Sequence, residues 1–266
     1  MNTRSTVVTF KQHPSSVLQP NFKPKYITTL EKRISLIKNL GTDLVVPLTF
    51  DLKLSQIDAR EFLQLLQRYL GMKVLIAGPD FAMGHNREGT AETLSNFGKE
   101  LGFFVLIVSP ILSLTGNTIR STTVRKALSN GNVEEVAELL GRSFTLEGRV
   151  VHGEGRGKSI GYPTANLECP SELAVPANGI YAAWARTGKE RYMAAVSIGE
   201  RPTFRQSSYA VEASLLDFEG DLYGSKLELE FVKHLREEQQ FSSVTLLKKQ
   251  IMADIELTKH ILKNSE

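Results

Sequence analysis

The sequence predicts two domains of different class: an α/β domain at the front, then an antiparallel β-barrel closed by a helix. Three observations carry this. Four short apolar runs in the first half alternate with helix-period segments. From Arg142 onward the helical period gives way to short β-rich runs broken by turn residues. A last segment, from Ser243 on, returns to a helical pattern. A length of 266 residues fits two domains, each long enough to bury a core of its own.

In the front half, Val7-Val8 with Phe10, Leu44–Val46, Val74–Ala77 and Phe104–Val108 form the apolar runs. Uninterrupted runs of this kind predict strands buried on both faces, as in a parallel sheet. Asp58 and Glu61 have capping-box spacing, Ile57 and Phe62 the spacing of a hydrophobic staple, and Gly71 marks a stop. Asn132 and Glu135 repeat the box before Val133, Val136, Ala137 and Leu140, and Gly141 closes that helix. Strands alternating with helices predict a doubly wound α/β domain over residues 1–141.

The second domain, residues 142–266, reads differently. Tyr181–Ala185, Tyr192–Ile198, Tyr209–Leu216 and Leu227–Val232 are strand-like, and Glu219-Gly220 reads as a hairpin turn. Evenly spaced short strands predict a closed or nearly closed antiparallel barrel. Ser243 is placed to cap a helix whose apolar face holds Val244, Leu247, Ile251, Ile255 and Leu262. That helix is expected to pack across the barrel.

Net charge is +3, with Lys and Arg scattered rather than in blocks. The pattern argues against a nucleic-acid arm, while a mild positive field suits small anionic substrates such as nucleotides. No apolar run reaches the length of a membrane span. The single cysteine, Cys169, has no disulfide or zinc partner set. That usage fits a reducing cytosol, so a cytoplasmic location is expected. Nothing in the pattern indicates an oligomeric state.

The densest chemistry lies at His152-Gly153-Glu154-Gly155-Arg156-Gly157-Lys158-Ser159. Glycines at alternate positions let backbone N–H groups turn toward an anion, and Arg156 and Lys158 add charge. The plain alternative is a flexible hairpin loop. The spacing is not that of a Walker A loop, because three residues, not four, separate Gly153 from Gly157-Lys158-Ser159. The following Ile160-Gly161-Tyr162-Pro163 also opposes an immediate helix. In Pro163-Thr164-Ala165-Asn166, the Thr and Asn side chains share one side of an extended chain. Both offer hard oxygens of the kind Mg²⁺ takes alongside substrate phosphates. The alternative there is a polar turn after proline.

These segments do not stand alone. They are followed by Val175–Tyr181 (VPANGIY), Ser197–Phe204 (SIGERPTF), Val211–Phe218 (VEASLLDF), Asp221–Gly224 and Leu235–Glu238. The series, in this order, resembles the riboflavin kinase family. The resemblance implies a six-stranded Greek-key barrel that phosphorylates riboflavin with ATP and Mg²⁺ to give FMN. It implies Thr164 and Asn166 as metal ligands, backbone N–H groups around Gly155 and Gly157 over the phosphates, and Glu212 as general base. By strand period alone, Glu212 shares a polar face with Ala210 and Ser214, although a carboxylate there could also point into the barrel. Arg201 is a secondary phosphate-binding candidate. Trp184 at strand spacing reads as core rather than as a flavin stacker.

The front half resembles the FMN adenylyltransferase module, so the whole chain is similar to bifunctional bacterial riboflavin kinase/FMN adenylyltransferases. Thr9–Pro14, Ala77–Gly84 and Ile119–Arg125 carry that likeness, with Arg120 where the family has a serine. The resemblance implies a nucleotidyltransferase-like, Rossmann-type fold. It also implies that His13, Asp80, Ser121, Thr122 and Arg125 are remnants of the adenylyltransferase site, with His13 and the Ser121-Thr122-Arg125 set facing the phosphates. As plain residues, Ser121-Thr122 would cap a helix. The family opens with a strand and an HxGH motif, and no HxGH occurs in this sequence. The chain is therefore expected to lack the first strand of the module and to adenylylate FMN poorly. Either the module has decayed into a scaffold, or sequence upstream of Met1 supplies the missing elements and the enzyme is fully bifunctional; a flavin- or nucleotide-binding regulator without activity is the other competing reading.

Overall fold

A computed structural model describes residues 3–113, 116, 118–153, 157, 161–200 and 209–265. Two compact units result: Met1–Pro24 with Arg33–Ile119, and Lys25–Lys32 with Arg120–Glu266. The units do not part where the sequence pattern changes. The pattern changes near residue 141, whereas the division by contact falls at 119/120.

The first unit holds β1 (Thr6–Phe10), α1 (Pro14–Leu18), α2 (Leu30–Asn39, whose first turn belongs to the other unit) and β2 (Leu44–Leu48). The chain continues through α3 (Leu52–Ser55), α4 (Ala59–Leu70), β3 (Val74–Ala77) and the short β4 (Ala82–Met83). Then come β5 (Gly89–Thr90), α5 (Ala91–Leu101) and β6 (Phe104–Ile107). The capping expected of α4 is present: Asp58 accepts from the Glu61 N–H at 2.7 Å, and Gly71 takes the left-handed C-cap conformation.

The strands are parallel as expected, but they form two separate pairs, β1–β2 and β3–β6. They are not buried on both faces. Helices α4 and α5 cover one side through Leu63 and Leu94, joined by Phe103 from the turn after α5, with Leu75 and Val105 packed against them. On the other face Ile76 and Phe104 are 64% and 66% exposed. A two-stranded parallel ribbon with helices on one side leaves its alternate side chains uncovered, which is the physical reason the expectation fails.

The second unit begins with α6 (Ser121–Ser129) and α7 (Val133–Leu140), joined at Gly131-Asn132. Asn132 caps α7, accepting from the Glu135 N–H at 3.1 Å. The barrel follows: β7 (Phe144–Val151), β8 (Ala165–Glu168), β9 (Gly179–Thr187), β10 (Glu190–Glu200), β11 (Tyr209–Leu215) and β12 (Lys226–Arg236). It closes in the order β10-β11-β8-β7-β12-β9, every neighbour antiparallel. Phe144, Leu146, Tyr181, Val196, Ile198, Leu227, Leu229 and Phe231 are almost wholly buried. A closed barrel has no edge strand to protect.

The Glu219-Gly220 hairpin is a correction. β11 and β12 are not neighbours in the barrel, so the segment between them is a crossover. The tight hairpin lies instead at Gly188-Lys189, where Thr187 pairs with Glu190. Gly188 there has φ 59°, the left-handed geometry that two-residue hairpin loops favour.

Helix α8 (Val244–Lys263) lies against β9, β10 and β12, and Ser243 accepts from the Leu246 N–H at 3.3 Å. Leu262 packs with Ala182 and Trp184, so Trp184 belongs to the core. The expected apolar face holds except at Val244, which is 57% exposed in the first turn.

Residues 25–32 form a strap on this unit. Tyr26 N–H donates to Glu172 O and its carbonyl accepts from Ala174 N–H, at 2.7 and 2.8 Å. Further along, the Lys32 ammonium lies 2.5 Å from Glu228, which stands directly opposite Glu147 on β7. Like charges placed opposite each other destabilise a sheet, and here each carboxylate takes its own lysine, Glu147 pairing with Lys226 at 2.6 Å. Burial alone would raise the Glu228 carboxyl, but the hydrogen bond from Lys32 holds it below the ordinary carboxylate value. A carboxyl lowered by folding stabilises the protein above its unfolded value, and that contribution is lost as pH falls through the folded value. Lys32→Met should therefore cost about 1–3 kcal/mol at neutral pH. Urea midpoints should show the loss at pH 7 and a smaller one in acid, once the pH has fallen far enough for Glu228 to gain its proton.

Candidate functional site

The chemistry expected of the barrel gathers on its outer wall. Alternation along β11 puts Val211 and Ala213 inside and Glu212 and Ser214 outside, so Glu212 does not face the barrel interior. The interior is already filled by aromatic and aliphatic side chains, which leave no solvated room for a carboxylate. Outside, Glu212 is half-buried rather than bathed in solvent.

Cross-strand register places its neighbours. Glu212 stands opposite Asn166 on β8 and opposite Ser197 on β10. Directly paired residues point to the same side of a sheet, so Asn166, Glu212 and Ser197 form a polar rung across three strands. Thr164 precedes β8, and its hydroxyl donates to Glu212 Oε2 at 3.2 Å. Thr164 and Asn166, two residues apart on an extended segment, thus meet Glu212 at one spot.

Gly153 and Gly157 lie against that spot. A Cβ at Gly153 would overlap Asn166 Nδ2 and come within 2.6 Å of its Cγ. A Cβ at Gly157 would overlap Tyr162 O and lie 3.1 Å from Thr164 Oγ1. Only a residue without a side chain allows the loop to approach the Thr164–Asn166 pair this closely. Gly155, Arg156, Lys158 and Arg201 lie outside the described residues.

Beside Glu212, the wall of β10 and β11 and the α8 helix enclose a cavity of about 280 Å³ that also reaches Thr164 and Gly157. Leu247, Ile251 and Ile255 of α8 and Phe241 make its apolar side, while Ser197, Ser214 and Glu212 make its polar floor. The roof is fixed by an ion pair. Arg236, at the end of β12, donates to both carboxylate oxygens of Asp254 at 3.0 and 2.7 Å, and Gln250 donates to the same group at 2.9 Å. Ser197, Arg236, Glu238 and Asp254 were not singled out individually from sequence. Asp254 between Ile251 and Ile255 was the available signal, because a charge on an apolar helix face needs a partner.

Among the described residues no three His, Cys, Asp or Glu side chains gather as a metal cluster. What the site offers instead is a hydroxyl, an amide and a carboxylate, hard oxygens that suit a cation already carried by phosphates. Cys169 is half-buried, and burial followed by the Glu168 charge pushes its thiol up to about 12.

The remaining expected residues divide between the two units. His13 and Asp80 belong to the first unit, whereas Ser121, Thr122 and Arg125 belong to the second. His13 caps α1, its Nδ1 accepting from Ser15 N–H at 3.1 Å, and its ring packs 5.0 Å from that of Phe22. Asp80 is exposed in the turn after β3. Ser121 and Thr122 do not cap α6. Arg120 takes the N-cap position with no side-chain capping bond, so the two hydroxyls stand one and two residues inside the first turn.

Comparison with known proteins finds two family models along the chain. The family model for riboflavin kinase matches residues 140–262, and that for FAD synthetase matches residues 1–123. Fold and matches together define a two-domain enzyme of flavin-nucleotide synthesis. The chain belongs to the bifunctional riboflavin kinase/FMN adenylyltransferase family. The Bacillus subtilis enzyme of that name is 34% identical over 93% of this chain and 79% of its own length. The Escherichia coli K12 enzyme is 35% identical over 95% and 80%. A crystal structure described as a macrolide-efflux protein from Streptococcus pneumoniae superposes with a TM-score of 0.88 at 32% identity, over 96% of this chain and 83% of that one. The relatives are bifunctional, and an impaired adenylyltransferase half, expected from the missing HxGH, draws no support from them.

Proposed function

We propose that the barrel unit transfers the terminal phosphoryl group of MgATP to riboflavin, giving FMN and ADP. The observation that carries this is the meeting of Thr164, Asn166 and Glu212 against Gly153 and Gly157, at the edge of a cavity with one apolar and one polar side. In this reading the flavin ring occupies the apolar side and the sugar-alcohol tail runs toward Glu212. Glu212 takes the proton of the terminal hydroxyl as its oxygen bonds to the γ-phosphorus and the bond to ADP breaks. Thr164 and Asn166 hold the magnesium ion, which neutralises charge on the phosphates. The loop amides complete the anion site, with Arg156, Lys158 and Arg201 as further candidates. Phosphoryl transfer asks for position and charge compensation above all, and a rigid strand rung supplies position. ATP supply and a lone unpaired thiol both suit the cytoplasm.

For the α/β unit, the matches favour the bifunctional reading, in which FMN goes on to FAD, over a decayed scaffold. Incubation with riboflavin, ATP and Mg²⁺, with products separated by HPLC, tests both halves. FMN followed by FAD is expected. FMN alone would return the α/β unit to a scaffold, and no FMN would overturn the kinase reading.

A further inference from the structure

The polar rung does not end at Glu212. Ser197 is its next member, directly opposite Glu212 and on the side away from Asn166. Neighbouring side chains on such a rung are about 5 Å apart. Two residues along β10, on the same face, is Gly199. The Glu238 carboxylate, arriving from the segment after β12, lies directly on it. A Cβ at Gly199 would overlap Oε1 and lie 2.9 Å from the Glu238 Cδ. Both Ser197 and Glu238 line the cavity. Neither side chain has a hydrogen-bond partner among the described residues.

A floor of this kind has a chemical meaning. Facing it are Leu247, Ile251 and Ile255, which recognise only apolar surface. A ligand covering both sides needs a flat apolar body and a row of hydroxyls. Glu212 is committed to one hydroxyl, the one that loses its proton, and among the other polar groups on the cavity Ser197 and Glu238 are placed to take the rest. An ionised carboxylate only accepts hydrogen bonds, and an alcohol always has one to give. Gly199 lets the acceptor sit flush with the strand instead of blocking it.

We propose that Ser197 and Glu238 are specificity-determining residues that bind the non-reacting hydroxyls of the flavin's polyol tail. The inference rests on the riboflavin kinase reading and adds the groups that recognise the tail. It also separates two kinds of binding energy. The α8 side would hold any flavin ring, whereas the Ser197–Glu238 track would act only on a flavin that carries hydroxyls.

The test compares riboflavin with lumiflavin, which keeps the ring and has a methyl group in place of the polyol. Affinities are read from flavin fluorescence in the full chain with MgADP bound. Ser197→Ala should weaken riboflavin about three- to tenfold and Glu238→Gln about tenfold, with lumiflavin unchanged in both. Unchanged lumiflavin binding also reports an intact fold. In turnover, KM for riboflavin should rise while kcat stays within about threefold. Equal losses for the two flavins, no loss for either, or a fall in kcat at constant KM would overturn the track. Failure of the unmodified chain to form FMN would instead take down the kinase reading, and the track with it.

Discussion

Glu212→Gln should lower the rate of riboflavin phosphorylation by about 10²–10⁴-fold, the usual contribution of a positioned general base. The substitution keeps the shape and the hydrogen bond with Thr164, which lies 3.2 Å away, so the barrel has no reason to rearrange. What it removes is the capacity to take a proton while the ribityl oxygen bonds to phosphorus. Riboflavin and MgADP should still bind within a few-fold of the unmodified protein, since neither the apolar side of the cavity nor the Thr164–Asn166 pair is altered. A normal rate in the variant would remove the base from Glu212 and revive the reading of the chain as a flavin-binding regulator. A comparable loss in affinity and rate together would mean that the residue serves binding rather than proton transfer.

How far the site was legible in sequence follows from which distances are local. Asp58 with Glu61, Asn132 with Glu135, and Ser243 are caps whose partners lie three residues away, and each forms as spaced. Thr164 and Asn166 also fall on one side of one short segment, so their joint role was readable. The side on which Glu212 sits was readable from period two, but its setting was not. A strand's polar face looks solvent-exposed until the element covering it is known, and here α8 stands more than thirty residues further on. The rung Asn166–Glu212–Ser197 depends on the register of three strands, which no local pattern encodes. The same limit explains the misplaced hairpin at Glu219-Gly220, where a good turn pair joins strands that are not neighbours. In the α/β unit, strand positions were legible from apolar runs, whereas burial was not, because it depends on layers that other segments supply.

Asp254→Ala should be among the most damaging substitutions for stability, at about 3–5 kcal/mol, because it strands a buried guanidinium. Arg236 and Asp254 side chains are only 18% and 8% exposed, and Asp254 accepts from Nε, Nη2 and the Gln250 amide. Bidentate geometry of this kind spends little further entropy on alignment, and removing one partner leaves the other desolvated and unpaired. The loss should appear as a lower urea midpoint with an unchanged slope. The pair also joins the end of β12 to the middle of α8, whose Ile251 and Ile255 form the apolar wall of the cavity. Flavin binding should therefore weaken even under conditions where the variant is folded. Replacing both partners by apolar residues of similar volume gives the opposite expectation for stability, near-neutral or better, since no charge is then left buried. If that double replacement restores the urea midpoint and also restores riboflavin binding, the ion pair serves only to dock the helix. If stability returns without binding, the orientation that the two hydrogen bonds impose on α8 is itself part of the site.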